Sequence, residues 1–257
     1  MKIRLDKLLV ERELVPSRER AQALILAGRV LVNEQKQAKS GAPIDSDASV
    51  RILGDDLPFV SRGGLKLAHA LKHWKIHVDG TTCLDIGAST GGFTDCLLQA
   101  GAAQVIAIDT GYGQIDAKLR NDPRVRLLEK TNARYLTAEQ MWAGTTPAPI
   151  SFVAMDVSFI SATIVLPAVL DAVRASSDDF ELVVLVKPQF EVGREHVGKG
   201  GIVRDQALQQ QAVTKVLRAV EQLGGSEIEV TESPILGTEG NREFLLRAHF
   251  SPLQPQQ

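Results

Sequence analysis

The chain has 257 residues, 44% hydrophobic and 23% charged, with a net charge of −2, an ordinary globular composition with enough apolar residues for one large domain and a small one. No apolar run approaches the roughly 18 to 20 residues that span a bilayer, and the opening "MKIRLDKLLVERELV" lacks the uninterrupted apolar region of a signal peptide. A cytoplasmic protein without a membrane partner is expected. Cys83 and Cys96 show no CxxC or Cys/His metal spacing, so two buried free thiols and no metal site are expected.

Charge is unevenly distributed. Residues 1–40 carry nine Lys/Arg against five Asp/Glu, a balance of +4, which leaves −6 for the remainder; a basic head on an acidic body suggests a polyanion-binding module attached to something else. In "RLDKLLVEREL", Leu5, Leu8 and Leu9 recur at helical spacing. Pro16 and Ser17 break and restart the chain, and Ala21, Leu24 and Ile25 repeat the pattern until Gly28 stops it. "RVLVN" predicts a strand, so the first 40 residues read as two short helices and a hairpin. In its order of elements, its Ser-Arg helix opening and its "AGRVLVN" ending, this stretch resembles the S4 RNA-binding domain. The resemblance implies a small α+β domain over about residues 1–60, its sheet completed by "IDSDASVRILGDDLPFV". Arg4, Lys7, Arg18, Arg20 and Arg29 are its expected RNA contacts, since phosphate contacts position an RNA without reading its bases. The same side chains also suit a merely solvated helical surface.

From Gly80 onward, short apolar runs ("TTCLDIGA", "AQVIAID", "VRLLEKT", "ISFVAMD", "ELVVLVKP") alternate with stretches of helical composition. That pattern predicts a parallel sheet covered on both faces. After the amphipathic "DQALQQQAVTKVLRAVEQLG", the runs "SEIEVTES" and "REFLLRAHF" follow without a helix between them. They predict an antiparallel hairpin finishing the sheet, as in the methyltransferase variant of the doubly wound fold.

Between the first strand and its helix lies Gly87-Ala88-Ser89-Thr90-Gly91-Gly92-Phe93. A dinucleotide loop has a second glycine where Ser89 stands, so a pyrophosphate is disfavoured and NAD is left as a rival. Asp85 before the loop and Asp109 at the end of the next strand make S-adenosylmethionine the more natural ligand. Its amino group suits Asp85, its carboxylate the loop N–H groups, and its ribose hydroxyls Asp109. Asn132 in "TNAR" is a candidate for the adenine edge, and "TGYGQ" for a wall of the site; a capping or turn role suits either equally.

Four further residues stand out: Lys66 in "SRGGLKL", Asp156 in "AMDVSFIS", Lys187 in "LVKPQFEVG" and Glu243 in "GNREF". Lys187 follows an apolar strand and precedes Pro188, which places it at the carboxyl edge of the sheet, where open α/β folds bind ligands; Asp156 ends the preceding strand there. The motifs "SRGGLKL", "DIGASTGGFTD", "YGQ", "RNDPRV", "TNAR", "DVSFIS", "LVKPQFEVG" and "GGIVRD", in this order, resemble the TlyA family, historically called haemolysin A, of ribosomal RNA ribose 2′-O-methyltransferases. The resemblance covers nearly the whole chain. It implies a Rossmann-like, FtsJ-like, S-adenosylmethionine-dependent domain over residues 61–257, built on a seven-stranded, mostly parallel doubly wound sheet. It also carries a Lys-Asp-Lys-Glu catalytic set onto Lys66, Asp156, Lys187 and Glu243, with Asp156 at the cofactor as well. Glu239 is the alternative to Glu243. The expected partners are ribosomal RNA or ribosomal subunits, and cytidine is the expected nucleotide.

The chemistry asks for such a set. A protonated ribose hydroxyl is a poor nucleophile, so a group must remove or polarise its proton as the oxygen attacks the sulfonium methyl in line. A lysine does this where neighbours and desolvation lower its pKa. Lys187 is the candidate, with Lys66 as a second cation on phosphate or sugar oxygens and Asp156 and Glu243 orienting the ammonium groups; structural ion pairing is the plainer alternative. A membrane-active haemolysin finds little support without a spanning segment or a strongly basic amphipathic helix. A non-catalytic RNA-binding or ribosome-assembly factor would have no use for the four residues.

Overall fold

The computed structural model describes residues 2–252 except 13, 16, 54–56, 238 and 239. Pro16, read above as a helix break, and Glu239, the alternative catalytic acid, therefore lie outside the described residues. The chain divides into two compact units, residues 1–57 and 58–257.

In the first unit, β1 (Lys2–Arg4) runs into α1 (Leu5–Glu11), followed by α2 (Arg18–Leu26), β2 (Val30–Val32), β3 (Gln35–Lys36), β4 (Pro43–Asp45) and β5 (Val50–Ile52). Ser17 caps α2 by accepting the Arg20 N–H. Gly28, at φ +66°, closes it, with the Gly28 and Arg29 N–H groups donating to Ile25 O and Leu24 O. Leu5, Leu8, Leu9, Ala21, Leu24 and Ile25 are all buried, as the helical spacing predicts.

The strands depart from the single sheet expected. β2 pairs with β3 and β5, whereas β4 pairs with β1 in a separate two-stranded ladder. β1 is three residues long with charge at both ends, too short for alternation to reveal it. Beneath it lies Asp6, whose side chain is fully buried. Arg4 donates to it from Nε (3.0 Å) and Nη2 (2.8 Å), Arg18 from Nη2 (3.1 Å) and Gln22 from Nε2 (2.9 Å). These bonds, the Arg4 guanidinium's foremost, hold the Asp6 carboxyl well below the usual carboxylate range against the cost of its burial.

The second unit comprises α3 (Gly63–His73), β6 (Thr82–Ile86), α4 (Gly92–Gln99), β7 (Gln104–Ile108), α5 (Ala117–Arg120), β8 (Val125–Leu128), α6 (Ala138–Trp142), β9 (Ile150–Met155), α7 (Ala162–Arg174), β10 (Phe180–Val186), α8 (Pro188–Glu191), α9 (Gln206–Gln222), β11 (Ser226–Glu232) and β12 (Phe244–Phe250). Its seven strands form one sheet in the order β11-β12-β10-β9-β6-β7-β8. The five from β10 to β8 are parallel, and β12 is antiparallel to both its neighbours.

Cys83, Val105, Phe152 and Val183 pack toward α3 and α4, while Leu84, Ile106, Val153 and Leu182 pack toward α6, α7 and α9. Successive residues thus serve opposite cores, which is why these strands read as unbroken apolar runs. The chain leaves β6 toward β7 and β8, then crosses back to β9 on the other side. That reversal opens a crevice beyond the carboxyl ends of β6 and β9.

Asp6→Ala is expected to lower the stability of the first unit by about 2 kcal/mol, because three side-chain donors lose one buried acceptor. Denaturant unfolding of the full chain, followed by hydrogen exchange in residues 2–53, checks it.

Candidate active site

The glycine loop is shaped by close approaches. Gly87, at φ +87°, lies where a Cβ would collide with the backbone carbonyl of Asp156, and Gly91, at φ +95°, where one would collide with Leu119. Ser89 occupies the left-handed region at φ +50° without being glycine, and its N–H donates to Asp109 Oδ2 at 2.8 Å. The loop therefore keeps the sharp turn of a dinucleotide loop with one glycine fewer. A Cβ on Gly92 would collide with Ser61 Oγ; the "SRGG" and "GG" segments interlock there, which brings Lys66 of α3 to the same cleft.

All four of Lys66, Asp156, Lys187 and Glu243 line one cleft of about 370 Å³, together with Gly87, Ala88, Ser89, Gly92 and Phe93. They stand in two pairs. Lys66 Nζ donates to Glu243 Oε2 at 2.5 Å, both side chains buried, with Glu243 immediately before β12. Lys187, the residue that opens α8 ahead of Pro188, places Nζ 2.5 Å from Asp156 Oδ1 and donates to Ser158 Oγ at 2.7 Å. The Lys187–Asp156 contact has the distance of an ion pair but not hydrogen-bond alignment, and Asp156 Oδ1 has no hydrogen-bond donor.

A second cavity, of about 280 Å³, adjoins the first and shares Gly87, Ser89, Asp156 and Ser158 with it; Asp109, Thr110, Gln114 and Asn132 lie along its far side. Asp109 accepts the N–H groups of Ser89 and Gly111, the latter at 2.6 Å. Asn132 caps a short 3₁₀ turn by accepting the Arg134 N–H at 3.1 Å.

Asp85 and Gly91 line neither cavity. The Asp85 side chain is fully buried beneath the loop. Thr94 Oγ1 donates to Oδ2 at 2.6 Å, while Oδ1 has no partner. Burial pushes its carboxyl up to about 7; Thr94 works against the rise, and the Asp156 and Asp109 charges add to it.

Of the basic residues in the first unit, Arg4 and Arg18 are tied to Asp6 while remaining half exposed. Lys7 lies 3.5 Å from Glu11, and Arg29 donates to Leu53 O at 2.8 Å. Arg20 is half-buried in α2. Arg12 escaped the sequence reading; it donates to Ala48 O and Ser46 O and ties α1 to the segment before β5.

The FtsJ-like methyltransferase family matches residues 59–250, and the S4 domain matches residues 3–50. The 16S/23S rRNA (cytidine-2′-O)-methyltransferase TlyA of Mycobacterium tuberculosis is 45% identical over 244 residues, 95% of this chain and 88% of that protein. The chain belongs to the TlyA family of FtsJ-like methyltransferases. A Brachyspira hyodysenteriae relative named Hemolysin A is 41% identical over 96% of this chain and 99% of its own length. A solved structure from Streptococcus thermophilus, 40% identical, superimposes with a TM-score of 0.73 over 98% of this chain and 90% of that one.

Methyltransferases of this family take the methyl group from S-adenosylmethionine, and the residues present fit that cofactor. Asp109 and Asn132 offer oxygen and amide groups along the second cavity, and the loop backbone approaches without side chains at Gly87. Two supporting residues were missed from sequence. Ser158, inside "DVSFIS", fixes Lys187. Asn241, 1% exposed, accepts the Val203 N–H and donates to Gly201 O, joining "GNREF" to "GGIVRD". Their place within quoted motifs was the available signal.

Asp85→Asn is expected to raise stability by up to about 4 kcal/mol at pH 8 and by about 1.5 kcal/mol at pH 5, the gain vanishing only below about pH 4. The folded state binds a proton at Asp85 that the unfolded chain has released between about pH 4 and 7, so wild-type stability from this group falls as pH rises through that window, and Asn removes the fall. Thermal melts of both proteins from pH 5 to 8 check it.

Proposed function

We propose that the chain methylates the ribose 2′-hydroxyl of cytidine in ribosomal RNA, acting in the cytoplasm, with residues 1–60 as its RNA-binding domain and residues 61–257 as the transferase. The observation that carries this reading is the convergence of two lysine–carboxylate pairs on one cleft that adjoins the cavity beside the glycine loop. The activity of the M. tuberculosis relative supports the substrate.

The bound cofactor supplies an electrophilic methyl group on a sulfonium sulfur. Asp109 accepts the cofactor's ribose hydroxyls, Asn132 meets its adenine edge, and the backbone from Gly87 to Phe93 receives its carboxylate. Lys187 takes or polarises the proton of the attacking 2′-hydroxyl. Asp156 and Ser158 hold the Lys187 nitrogen in place and stabilise the ammonium that results. Lys66, steadied by Glu243, meets phosphate or sugar oxygens of the target nucleotide. Arg4, Lys7, Arg18, Arg20 and Arg29 contact phosphates elsewhere on the RNA, so affinity falls steeply with salt through counterion release. Transfer of labelled methyl to ribosomal RNA, with the modified ribose mapped in the product, tests the assignment; methylation of a base in place of the ribose overturns it.

Asp109→Ala is expected to weaken cofactor binding by about 1.5 to 3 kcal/mol, since two hydroxyls lose a charged acceptor; titration calorimetry measures it. Lys187→Ala is expected to keep the fold and cofactor affinity and to lose methyl transfer by about 10² to 10⁴-fold. Lys187→Arg should not restore it, because a guanidinium keeps its proton near neutral pH. Single-turnover methylation with both variants distinguishes a base from an orienting charge, which arginine would replace.

A further inference from the structure

The Asp156–Lys187 pair lies at the limit of the sheet's own support. Pairing between β9 and β10 ends at Met155 and Val184, and Asp156 and Lys187 follow on the two segments beyond. The Asp156 N–H donates to Ile86 O, but among the described residues no backbone hydrogen bond holds 157–160. Phe159 in that segment has φ +65°, a strained conformation for an aromatic residue, and its ring is 92% exposed. Side chains do the joining instead. Lys187 donates to Ser158, the Phe159 and Phe190 rings lie 5.3 Å apart, and Glu191 closes the far end.

Glu191 is the buried member of this series, its side chain 2% exposed. Its Oε1 accepts the Ala162 N–H at 2.7 Å and its Oε2 the Ser161 hydroxyl at 2.5 Å. One carboxylate on the turn that begins at Lys187 thereby caps α7, the helix that begins where the Asp156 segment ends. Lys215 of α9 seals the contact from behind: its Nζ lies 3.2 Å from Glu191 Oε2 and donates to Glu191 O at 2.8 Å and to Ser161 Oγ at 3.3 Å. The Glu191 contact crosses between two loops and adds to the ordinary cap of α7, in which Ser161 Oγ accepts the Thr163 N–H at 3.3 Å.

We propose that Glu191 is a positioning residue for methyl transfer, holding the segment 156–161 against the turn 187–191 so that Asp156 and Lys187 meet in a fixed geometry. The proposal rests on Lys187 and Asp156 being the reacting pair. Glu191 touches neither substrate nor cofactor; it acts through the two segments it joins, four residues from Lys187 and five, at Ser161, from Asp156. A displacement on the order of 1 Å at reacting groups costs about 10²-fold in rate, which is the scale on which losing the clamp should register.

The test uses the full chain with S-adenosylmethionine and ribosomal RNA, and compares Glu191→Gln, Glu191→Ala and Lys187→Ala with wild type. Single-turnover rates at saturating cofactor and RNA, cofactor affinity and thermal melts are measured for each. Glu191→Ala is expected to slow transfer by about 10²-fold with cofactor affinity unchanged. Glu191→Gln, whose amide oxygen still accepts the Ala162 N–H while the ion pair to Lys215 is lost, should retain most of what Ala loses and show a displaced pH–rate profile. If both variants melt earlier yet transfer methyl at the wild-type rate with the wild-type pH profile, Glu191 is structural and the proposal falls. Should the Ala variant fail to fold, the Gln variant decides by the same two readouts. An active Lys187→Ala variant overturns the underlying reading and the proposal with it; an inactive one beside wild-type Glu191 variants overturns the proposal alone.

Discussion

The carbonyl oxygen of Asp156 lies against the α-carbon of Gly87, with room for nothing between them, and the Asp156 N–H donates to Ile86 O at 2.8 Å. The exits of β6 and β9 are locked together by this backbone contact, and the two cavities meet along it. Gly87, Ser89, Asp156 and Ser158 belong to both, so the two cavities share one seam. Two-substrate reactions gain most when neither partner has to search for the other.

The charges around the seam are balanced locally. Each lysine brings its own carboxylate, so the four-residue set adds no net charge, and each ammonium avoids the cost of standing alone in a half-buried site. Arg62, which lines the same cleft and donates to the Leu236 carbonyl, adds one positive charge to that neutral set. Residues 41–257 carry −6 and residues 1–40 carry +4, so the excess of positive charge lies in the first 40 residues. Asp6 organises part of that excess by gathering Arg4 and Arg18 on a single buried carboxylate.

Much of this was legible in the sequence for a physical reason: the informative residues lie at strand ends, where an apolar run stops abruptly at a charged side chain. Asp109, Asp156 and Lys187 all follow that rule, and the glycines of the first loop mark close approaches of backbone. The missing second glycine pointed away from a pyrophosphate, and Ser89 adopts the left-handed turn without it. What escaped were relations between distant segments. Nothing local in "SRGGLKL" tells that Lys66 will meet Glu243, 177 residues away. The depth of Asp85 depends on what α4 lays over it, and the β1–β4 ladder is built from strands of three residues, below any detectable period.

The antiparallel β12, inserted between β10 and β11, reverses one detail of the site. Asp156 and Lys187 follow their strands, whereas Glu243 precedes its own, because only the beginning of an antiparallel strand reaches the carboxyl edge. On a ribosome this has an order in time. The first unit is complete once residue 57 has emerged, while β10 keeps an open edge, and Lys66 lacks its carboxylate, until the last strand has been synthesised. A nascent chain would thus hold a finished S4 unit long before it holds a finished cleft.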